Sequence, residues 1–383
     1  MILNSENPVG TICLRIGIFH PALDRCGGAE VVGVLAANAL AEHGYDVSIL
    51  TRKAIDQSQI KEKVGVPLAS SIKVMTSPTI FEAYGTFYLY ESAVKSLIMK
   101  SNCDVLFDTY TSCVFPWTNV SYIHFPYLNS YRYSQKFPYL KTPRFKEGIS
   151  LPYIFFEEKL ENYTGKLILT NSFFTAKAIK ESLKIDSKVL YPPVPAAFFN
   201  KDSTNLIVPR EDIVVSVARF GLGKGVELIP KIASLTNKNL HFIMIGLAHD
   251  QSVVQSVKAL IKKLELQDRV TIMTDASRQT VKSMLAKAKV YLHTTQMEHF
   301  GISIAEAMVM GCIPIVHNSG GTPEFVPDKY RYNNLPEAAL KIEAALNEWS
   351  LEKENEMKKI SERFSEKNFS ENLVKMFSEY YTP

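Results

Sequence analysis

The sequence is poor in features that mark several large classes of protein. Its 383 residues include 2 tryptophans and 5 cysteines, and no two cysteines form a Cys-x-x-Cys pair. An odd number of scattered cysteines argues against a disulfide-rich secreted fold and against a zinc site, so we expect reduced, buried thiols in a cytosolic protein. No apolar run approaches about 18 residues, which argues against a membrane-spanning helix. The N-terminus also lacks the basic segment and apolar core of a signal peptide.

Three catalytic signatures are missing as well. The chain contains no His-Glu-x-x-His, Asp-x-Asp or Gly-x-Ser-x-Gly sequence, so the residues indicate neither a bound metal nor a serine nucleophile. The 43 Lys and Arg residues against 39 Asp and Glu residues give a net charge of +4. This mild excess differs from the concentrated basic stripe of a nucleic-acid-binding protein. We therefore expect no metal cofactor and no nucleic-acid partner.

The residues that are present form two series of alternating strands and helices, in a chain long enough for about two or three domains. The first series begins with a strand at 14–19, a loop with Gly27 and Gly28, an amphipathic helix that ends near Gly44, and a strand at 47–50. This βαβ unit predicts a parallel sheet. Further strands of the first series are predicted at 104–107, 120–123, 167–169 and 189–191.

A stretch rich in proline and polar residues interrupts the pattern at 193–212 and predicts a linker. We predict an α/β fold with two doubly wound domains, 1–192 and 213–360, whose parallel sheets face each other across a cleft that binds ligands. A helix within 361–383 is expected to pack back on the first domain. The predicted strands of the second domain are 213–218, 240–245, 269–272, 289–292 and 313–316, with helices near 225–235, 251–264, 277–287 and 301–310.

The most informative candidate site contains two glutamates, Glu298 and Glu306. Glu298 follows a predicted strand, Gly301 opens the next helix, and Glu306 lies about one and a half turns inside it. The backbone N–H groups around Phe300–Ile302, at this helix N-terminus, can hold a phosphate. Glu306 could then accept hydrogen bonds from ribose hydroxyls, and Glu298 could reach a sugar. The alternative is a pair of solvated glutamates at a helix end.

A second candidate site is the glycine-rich turn after the strand at 213–218, which carries Arg219 and Lys224. The planar fork of an arginine and the point charge of a lysine can together grip a diphosphate. The three glycines of the turn lack the spacing of a dinucleotide fingerprint, and no Walker motif follows. The alternative is an ordinary surface loop.

Two candidates lie in the first domain. Gly27 and Gly28 fall in the first βα loop, where glycine lets the backbone approach a phosphate closely; the alternative is a plain tight turn. His124 follows the strand at 120–123 and should face the cleft, where it can bind a substrate hydroxyl or take a proton. The alternative is a histidine with satisfied partners in the core or at its rim.

Residues 125–160 are rich in aromatic side chains interleaved with Lys136, Lys141, Arg144 and Lys146. Aromatic and basic residues together suit a lipid interface with anionic head groups. This segment therefore predicts peripheral membrane contact. The alternative is an aromatic core beside a solvated loop.

Taken in order, these elements resemble glycosyltransferase family 4, the retaining GT-B enzymes that use nucleotide-sugar donors. The likeness covers nearly the whole chain. It rests mainly on the Glu-x7-Glu element at 298–306, on the Ala-Met-Val-Met-Gly-Cys-Ile-Pro run at 307–314, and on Ser-Gly-Gly-Thr-Pro-Glu at 319–324. The resemblance implies two Rossmann-like domains and a metal-independent hexosyltransferase that works in the cytoplasm.

Shorter motifs narrow the resemblance. Phe-His-Pro at 19–21, Gly-Gly-Ala-Glu at 27–30, Tyr-Ile-His-Phe-Pro at 122–126 and Tyr-Pro-Pro at 191–193 are similar to the endoplasmic-reticulum enzymes that add α-1,2-mannose to the dolichol-linked trimannosyl core. This likeness implies GDP-mannose as donor and a dolichol- or polyprenol-diphosphate oligosaccharide as acceptor. Those enzymes carry an N-terminal membrane anchor, which the residues here do not indicate.

The family resemblance also implies a role for each candidate residue. Arg219 and Lys224 would hold the donor diphosphate and stabilise charge on the leaving group. Glu306 would bind ribose, Glu298 would contact hydroxyls of the transferred sugar, and His124 would lie near the reacting carbon. The backbone amides of Phe300, Gly301, Ile302, Gly27 and Gly28 would complete the phosphate and sugar site.

Three alternatives to a mannosyltransferase stay open. The first is a family 4 transferase that uses a UDP-sugar. The second is a nucleotide-sugar 2-epimerase of the same architecture, which would need further carboxylates in the cleft for proton abstraction. The third is a sugar-nucleotide-binding subunit that requires a partner.

Overall fold

The computed structural model describes residues 14–25, 27–80, 86–126, 163–199 and 209–381. Within these ranges the chain forms two separate parallel β-sheets connected by helices. The segment 125–160, for which membrane contact was predicted, lies outside the described residues from 127 onward.

In the part of the chain that the structure describes, the first sheet contains seven strands: β1 (Arg15–Phe19), β2 (Asp46–Thr51), β3 (Lys73–Thr76), β4 (Val105–Asp108), β5 (Val120–Ile123), β6 (Leu167–Thr170) and β7 (Lys188–Val189). Their spatial order is β3-β2-β1-β4-β5-β6-β7, and all neighbouring pairs are parallel. The strand order reverses between β1 and β4. A crevice therefore opens beyond the carboxyl ends of these two strands.

Most of these strands are short apolar runs because a parallel sheet is covered on both faces. Ile16, Ile18, Phe107 and Leu169 are completely buried, and the predicted strands agree with the observed ones to within two residues. Strand β3 was not predicted. It lies at the edge of the sheet and its side chains are mostly exposed, so its sequence lacks the apolar run that indicates a buried strand.

The described residues of the first half form the helices α1 (Gly28–Glu42), α2 (Gln57–Val64), α3 (Thr86–Lys100), α4 (Phe173–Leu183) and the short α5 (Ala196–Phe199). Helix α1 consists almost entirely of Val, Ala and Leu after its first turn. It is buried on nearly all sides, which requires a further element to cover its outer face.

The second sheet contains six strands: β8 (Glu211–Val217), β9 (His241–Gly246), β10 (Val270–Thr274), β11 (Ala288–His293), β12 (Ile313–His317) and β13 (Arg331–Tyr332). Their spatial order is β10-β9-β8-β11-β12-β13, again with parallel neighbours. The order reverses between β8 and β11, so a second crevice opens beyond these strands.

The helices of the second half are α6 (Leu228–Ala233), α7 (Gln251–Lys263), α8 (Arg278–Lys287), α9 (Ile302–Val309), α10 (Leu335–Glu348), α11 (Leu351–Ser361) and α12 (Glu366–Ser378). Helix α11 packs on α9 of the second domain, whereas α12 returns to the first domain and packs on α1. Phe369, Leu373 and Phe377 of α12 belong to the first core. Helix α12 is thus the element that covers the outer face of α1.

Two chain crossings between the domains, near Val194 and near Ser365, lie side by side in the described residues. Val194 in the first crossing pairs with Ser365 in the second as a parallel bridge. The Val194 N–H donates to the Phe364 carbonyl at 2.7 Å, and the Ala196 N–H donates to Glu366 Oε1 at 2.6 Å. This junction ties the two domains together beside the cleft.

The predicted fold class, two Rossmann-like domains with parallel sheets, is confirmed. The helix predicted near 225–235 is shorter than expected because Gly225, with φ +65°, lies before it and only 228–233 form regular helix. Cys103, Cys113 and Cys312 are buried, and burial raises the pKa of the Cys312 thiol to about 11. Across the described ranges, the helices are too short or too polar to cross a membrane.

Candidate functional site

The two crevices face each other, and two helix N-termini meet between them. Helix α1 begins beyond β1 of the first sheet, and α9 begins beyond β11 of the second. A Cβ atom built on Gly28, at the start of α1, would lie 3.0 Å from Ile302 Cδ1 at the start of α9. Because the positive ends of two helices converge here, the cleft is suited to an anionic ligand.

Glu298 lies in the loop between β11 and α9 and accepts hydrogen bonds from two side chains. Lys224 Nζ is 2.9 Å from Glu298 Oε2, and His293 Nε2 is 3.2 Å from the same oxygen. Burial alone would raise the pKa of this carboxyl, but the Lys224 ammonium and the His293 ring hold the pKa of Glu298 well below its usual range. Glu298 is therefore ionised at neutral pH and is a strong acceptor for hydroxyl groups.

The segment 319–321 supports the backbone around Glu298. The Gly321 N–H donates to the Glu298 carbonyl at 2.8 Å, and Ser319 Oγ accepts the Met297 N–H at 2.8 Å. Gly320 has φ +77°, and a Cβ at this position would lie only 2.2 Å from the Glu298 carbonyl oxygen. Only glycine fits this backbone contact. The Ser-Gly-Gly motif thus holds the loop that carries Glu298.

The N-terminus of α9 carries no side-chain cap. Gly301 precedes the helix with φ +93° and has no side chain to satisfy the first N–H groups. Phe300 is buried beneath this turn, while Gly301 and Ile302 are partly exposed. The Ile304 N–H donates to the Gly301 carbonyl at 3.0 Å, so the amides of Ile302 and Ser303 are the ones at this helix start that can bind a ligand.

Arg219 and Lys224 lie in the turn that follows β8, at the carboxyl edge of the second sheet. The Arg219 side chain is exposed. The backbone of Lys224 is fixed by a 3.1 Å hydrogen bond from Thr295 Oγ1 to its carbonyl, and the Lys224 side chain reaches Glu298. Arg219, Lys224 and the uncapped helix end therefore lie at the same edge of the sheet, and the binding of a diphosphate by these groups stays a prediction.

Glu306 is almost completely buried in the second turn of α9, and Arg278 Nη2 donates to Glu306 Oε1 at 2.7 Å. Arg278 is the first residue of α8, and its guanidinium lies 5.1 Å from the ring centre of Phe198. A cation at a helix N-terminus is unfavourable, so its pairing with Glu306 compensates. Arg278 was not among the site residues predicted from the sequence, because a single arginine at a helix start belongs to no motif.

His124 directly follows β5, and His124 Nε2 lies 3.0 Å from the Thr109 carbonyl. Since a carbonyl only accepts hydrogen bonds, Nε2 carries the proton and Nδ1 is left as an acceptor in the neutral ring. Burial lowers the pKa of His124 to about 4. At neutral pH this histidine is therefore an uncharged group that can accept a hydrogen bond from a hydroxyl.

The glycine turn before α1 is held by Glu30. The Gly27 N–H, which was predicted to bind a ligand, donates instead to Glu30 Oε2 at 2.5 Å. Burial opposes ionisation of this nearly inaccessible carboxyl, but His20 and the backbone hold the pKa of Glu30 below its usual value. The Gly27 amide is therefore engaged within the chain, and the amide of Gly28 is the next one in this turn.

His20 is a further polar residue at the cleft that was not assigned a function from the sequence. It is completely buried, and His20 Nδ1 lies 2.8 Å from Thr109 Oγ1. Its Nε2 atom is 3.9 Å from Glu30 Oε1. Because Thr109 also binds His124 through its carbonyl, these contacts connect the glycine turn with His124.

Residues of both domains also touch through two aromatic rings. His299, which follows Glu298, stacks on Phe125, which follows His124, with ring centres 4.1 Å apart and an interplanar angle of 10°. Burial lowers the pKa of His299 to about 4, so the stacked ring is neutral at physiological pH. The neighbours of two candidate residues from opposite domains are thus in direct contact.

Among the residues that the structure describes, no group of three His, Cys, Asp or Glu side chains is arranged to hold a metal ion. The metal independence expected from the sequence stays a prediction.

The comparison with protein families identifies the second half of the chain. Residues 198–367 match the model described as Glycosyl transferases group 1. The match includes the second sheet and Arg219, Lys224, Glu298 and Glu306. The chain therefore carries a glycosyltransferase group 1 domain, as the resemblance in the sequence predicted.

Two curated relatives extend the likeness to the first domain. The chain is 24% identical over 432 aligned positions to the GDP-Man:Man(3)GlcNAc(2)-PP-Dol alpha-1,2-mannosyltransferase of Dictyostelium discoideum, with 94% of this chain and 84% of the relative covered. It is 28% identical to human alpha-1,3/1,6-mannosyltransferase ALG2, with 56% and 60% covered.

Solved structures share the architecture. A glycosyltransferase from Rickettsia africae superposes with a TM-score of 0.70 at 17% identity, covering 97% of this chain and 99% of that one. Sucrose-phosphate synthase from Thermosynechococcus elongatus gives a TM-score of 0.75 at 15% identity, with 96% and 98% covered. These likenesses, together with the family match, confirm the predicted GT-B fold and the predicted enzyme class.

Proposed function

We propose that this group 1 glycosyltransferase moves mannose from GDP-mannose onto a lipid-linked oligosaccharide, with an α-linkage and without a metal. The observation that carries the proposal is the pairing of Lys224 with Glu298 in front of the uncapped N-terminus of α9. The names of the relatives, described above, support the choice of donor and acceptor.

The electrostatics of the cleft suit a leaving diphosphate. Cleavage of the sugar–diphosphate bond places negative charge on the departing diphosphate and positive charge on the sugar ring. Arg219 and Lys224 stabilise that negative charge, and the amides at the start of α9 add a fixed positive end. Preorganised charges of this kind need no metal ion.

The acidic residues fit the remaining parts of the donor. Glu298 is ionised, and its carboxylate accepts hydrogen bonds from hydroxyls of the transferred sugar. Glu306 lies in the next turn of the helix, where its carboxylate accepts a ribose hydroxyl through the oxygen that Arg278 leaves available.

The reaction needs no protein nucleophile if the acceptor attacks from the face that the diphosphate leaves. The acceptor oxygen forms its bond to the anomeric carbon as the bond to the diphosphate breaks. The proton of the acceptor hydroxyl passes to a departing phosphate oxygen, and the α-configuration is retained. Neutral His124 supports this geometry by accepting a hydrogen bond from a sugar hydroxyl without adding charge.

A thermal-shift screen of the purified protein tests the donor. GDP and GDP-mannose are expected to raise the melting temperature, with and without EDTA, because a ligand that binds only the folded state stabilises it. The shift should disappear in Arg219→Ala. It should persist in the matched control Lys238→Ala, which removes an exposed cation before β9, at the opposite edge of the sheet.

A transfer assay tests the acceptor. Wild-type protein with GDP-mannose and a synthetic polyprenol-diphosphate oligosaccharide should form a product one hexose larger, with an α-anomeric proton signal by NMR. If UDP and UDP-sugars raise the melting temperature in the thermal-shift screen and GDP does not, the protein would still be a glycosyltransferase, but its donor would not be GDP-mannose. Conversion of the nucleotide-sugar to its epimer in the absence of an acceptor would contradict the proposed transfer reaction.

Access to a lipid-linked acceptor gives the aromatic and basic segment 125–160 a function at the membrane surface. The triple variant Lys141→Glu, Arg144→Glu, Lys146→Glu should bind vesicles of phosphatidylcholine and phosphatidylserine more weakly than the wild type. Equal sedimentation of the two proteins with these vesicles would rule out this contact.

A further inference from the structure

A glutamate of the second domain closes the N-terminus of a helix of the first domain. Glu324 Oε2 accepts the Phe173 N–H at 3.0 Å, and Glu324 Oε1 accepts the Phe174 N–H at 2.8 Å. These are the first two amides of α4. Each oxygen of one carboxylate is therefore bound to a helix end that lies 150 residues earlier in the chain.

The Glu324 carboxylate is also fixed from the side of the domain junction. The Tyr191 hydroxyl donates to Glu324 Oε2 at 3.1 Å, and Arg363 Nη2 donates to the Glu324 carbonyl at 3.1 Å. Burial and the neighbouring carboxylate raise the pKa of Tyr191 to about 12, so this hydroxyl remains a donor at neutral pH. Tyr191 and Arg363 belong to the two chain crossings between the domains.

The residues just before Glu324 support Glu298. The segment 319–324 begins with the Ser-Gly-Gly turn that binds the backbone of Met297 and Glu298, and it ends with Glu324. The turn is compact, because Thr322 is buried and its hydroxyl lies 3.2 Å from both the His317 and the Ser319 carbonyls. One short, rigid segment thus touches the Glu298 loop at one end and the first domain at the other.

We propose that Glu324 is a positioning residue that sets the place of Glu298 relative to the first domain. The cap on α4 fastens the segment 319–324 to the domain that carries His124, so any loosening of this contact displaces Glu298 from His124. The proposal rests on the transfer reaction proposed above, in which these two residues contact the same sugar. Geometry of this kind affects rate because a small displacement of a reacting group is costly.

Helix α4 offers a matched control because it has a second cap from its own domain. Ser172 Oγ accepts the Thr175 N–H at 3.1 Å. Ser172→Ala and Glu324→Gln therefore each weaken the N-terminus of the same helix, but only Glu324→Gln weakens a contact between the domains. Glutamine keeps one acceptor oxygen and loses the second, and it preserves the size of the side chain.

The experiment compares full-length wild type, Ser172→Ala and Glu324→Gln. Amide hydrogen exchange without ligand is measured for the first turn of α4 and for residues 297–301, and kcat and KM are measured with GDP-mannose. Both variants should exchange faster at the start of α4. Only Glu324→Gln should also exchange faster at 297–301 and lose about tenfold or more in kcat/KM, mainly in kcat, while Ser172→Ala should stay within about twofold.

Two outcomes would overturn the proposal. One is unchanged exchange at 297–301 in Glu324→Gln, and the other is an equal effect of both variants on kcat/KM. The exchange measurement uses no substrate, so it tests Glu324 even if wild-type protein transfers nothing from GDP-mannose, a result that would refute the proposed function alone.

Discussion

The N-termini of α4 and α9 lie in comparable places and are treated in opposite ways. Both helices follow a strand of a parallel sheet and begin at the face where the domains meet. Helix α4 has its first amides filled by Glu324 and Ser172. Helix α9 begins after Gly301 and has no side-chain cap. The free N–H groups of α4 are thus satisfied by side chains. The N-terminus of α9 lies beside Lys224, and its free N–H groups can bind an anion.

The segment 319–324 contacts both the loop before α9 and the N-terminus of α4. Its first residues hold the loop before α9, and its last residue, Glu324, fills the end of α4. Substitutions at and near the two helix ends test whether this difference matters for binding and catalysis.

The largest effect is expected for Lys224→Met. Loss of this cation from the proposed diphosphate site should lower kcat at least about a hundredfold. It also removes one of the two side-chain partners of the Glu298 carboxylate and leaves His293 as the other, which should cost about 2 kcal/mol in the free energy of unfolding. The double variant Lys224→Met, Glu298→Gln should recover stability in urea titrations but not activity. Recovery of transfer in the double variant would contradict the assignment of Lys224 to the leaving group.

A smaller loss is expected for Gly320→Ala. The added Cβ would meet the Glu298 carbonyl oxygen and displace the loop before α9, so kcat/KM should fall about tenfold. Gly165→Ala is the matched control, because Gly165 also has φ +77° but its Cβ would meet no atom within 4 Å. Both variants share the strain of a positive φ. Equal kcat/KM in the two would show that the contact with Glu298 is unimportant.

A carboxylate placed at the start of α9 should make it resemble α4. Ser303→Asp introduces a negative charge at the second helical position, which stabilises a helix N-terminus by about 0.3–1 kcal/mol. The same charge repels a diphosphate, so the Kd for GDP measured by calorimetry should rise about tenfold. Ser303→Asn has nearly the same shape without the charge and should bind GDP much more tightly than Ser303→Asp. Similar Kd values for the two variants would place the diphosphate elsewhere.

The smallest effect concerns pH. Both His124 and His299 have pKa values lowered to about 4 by burial, whereas an unfolded histidine has a pKa of about 6.5. The unfolded chain therefore binds more protons between these values, and stability must fall as the pH falls from 6.5 toward 4. Urea midpoints measured at pH 7 and pH 5 should differ less in His299→Asn than in the wild type. An identical difference would mean that His299 has the same pKa in the folded protein as in the unfolded chain.

Much of the fold could be predicted from apolar runs. The strand at 313–317 is completely apolar until its last residue, and four of its five residues are buried, because a central parallel strand has no polar face. The edge strand β3 has no such signal. The glycine turn with Arg219 and Lys224 and the helix start at Gly301 could be placed because a βα repeat always brings strand ends and helix starts to the same edge.

The contacts between side chains at the site could not be predicted from apolar runs or motifs. The pairing of Arg278 with Glu306 joins two helices, and the binding of Gly27 by Glu30 removes an amide that the motif alone had offered to a ligand. Glu324 belonged to a recognised motif, but its sequence neighbours give no indication that it binds Phe173 and Phe174.

The two parallel sheets, the sheet edges predicted to bind ligands and the types of residue at those edges could be derived from the order of the residues alone. The burial of a strand or of one helix face, and the need for glycine in a turn, each leave a pattern within a few neighbouring residues. The folded structure was needed to show which charges pair, which helix end stays uncapped and which contacts join the two domains. These outcomes depend on distances between residues far apart in the chain, such as Glu324 and Phe173, which are separated by 151 positions.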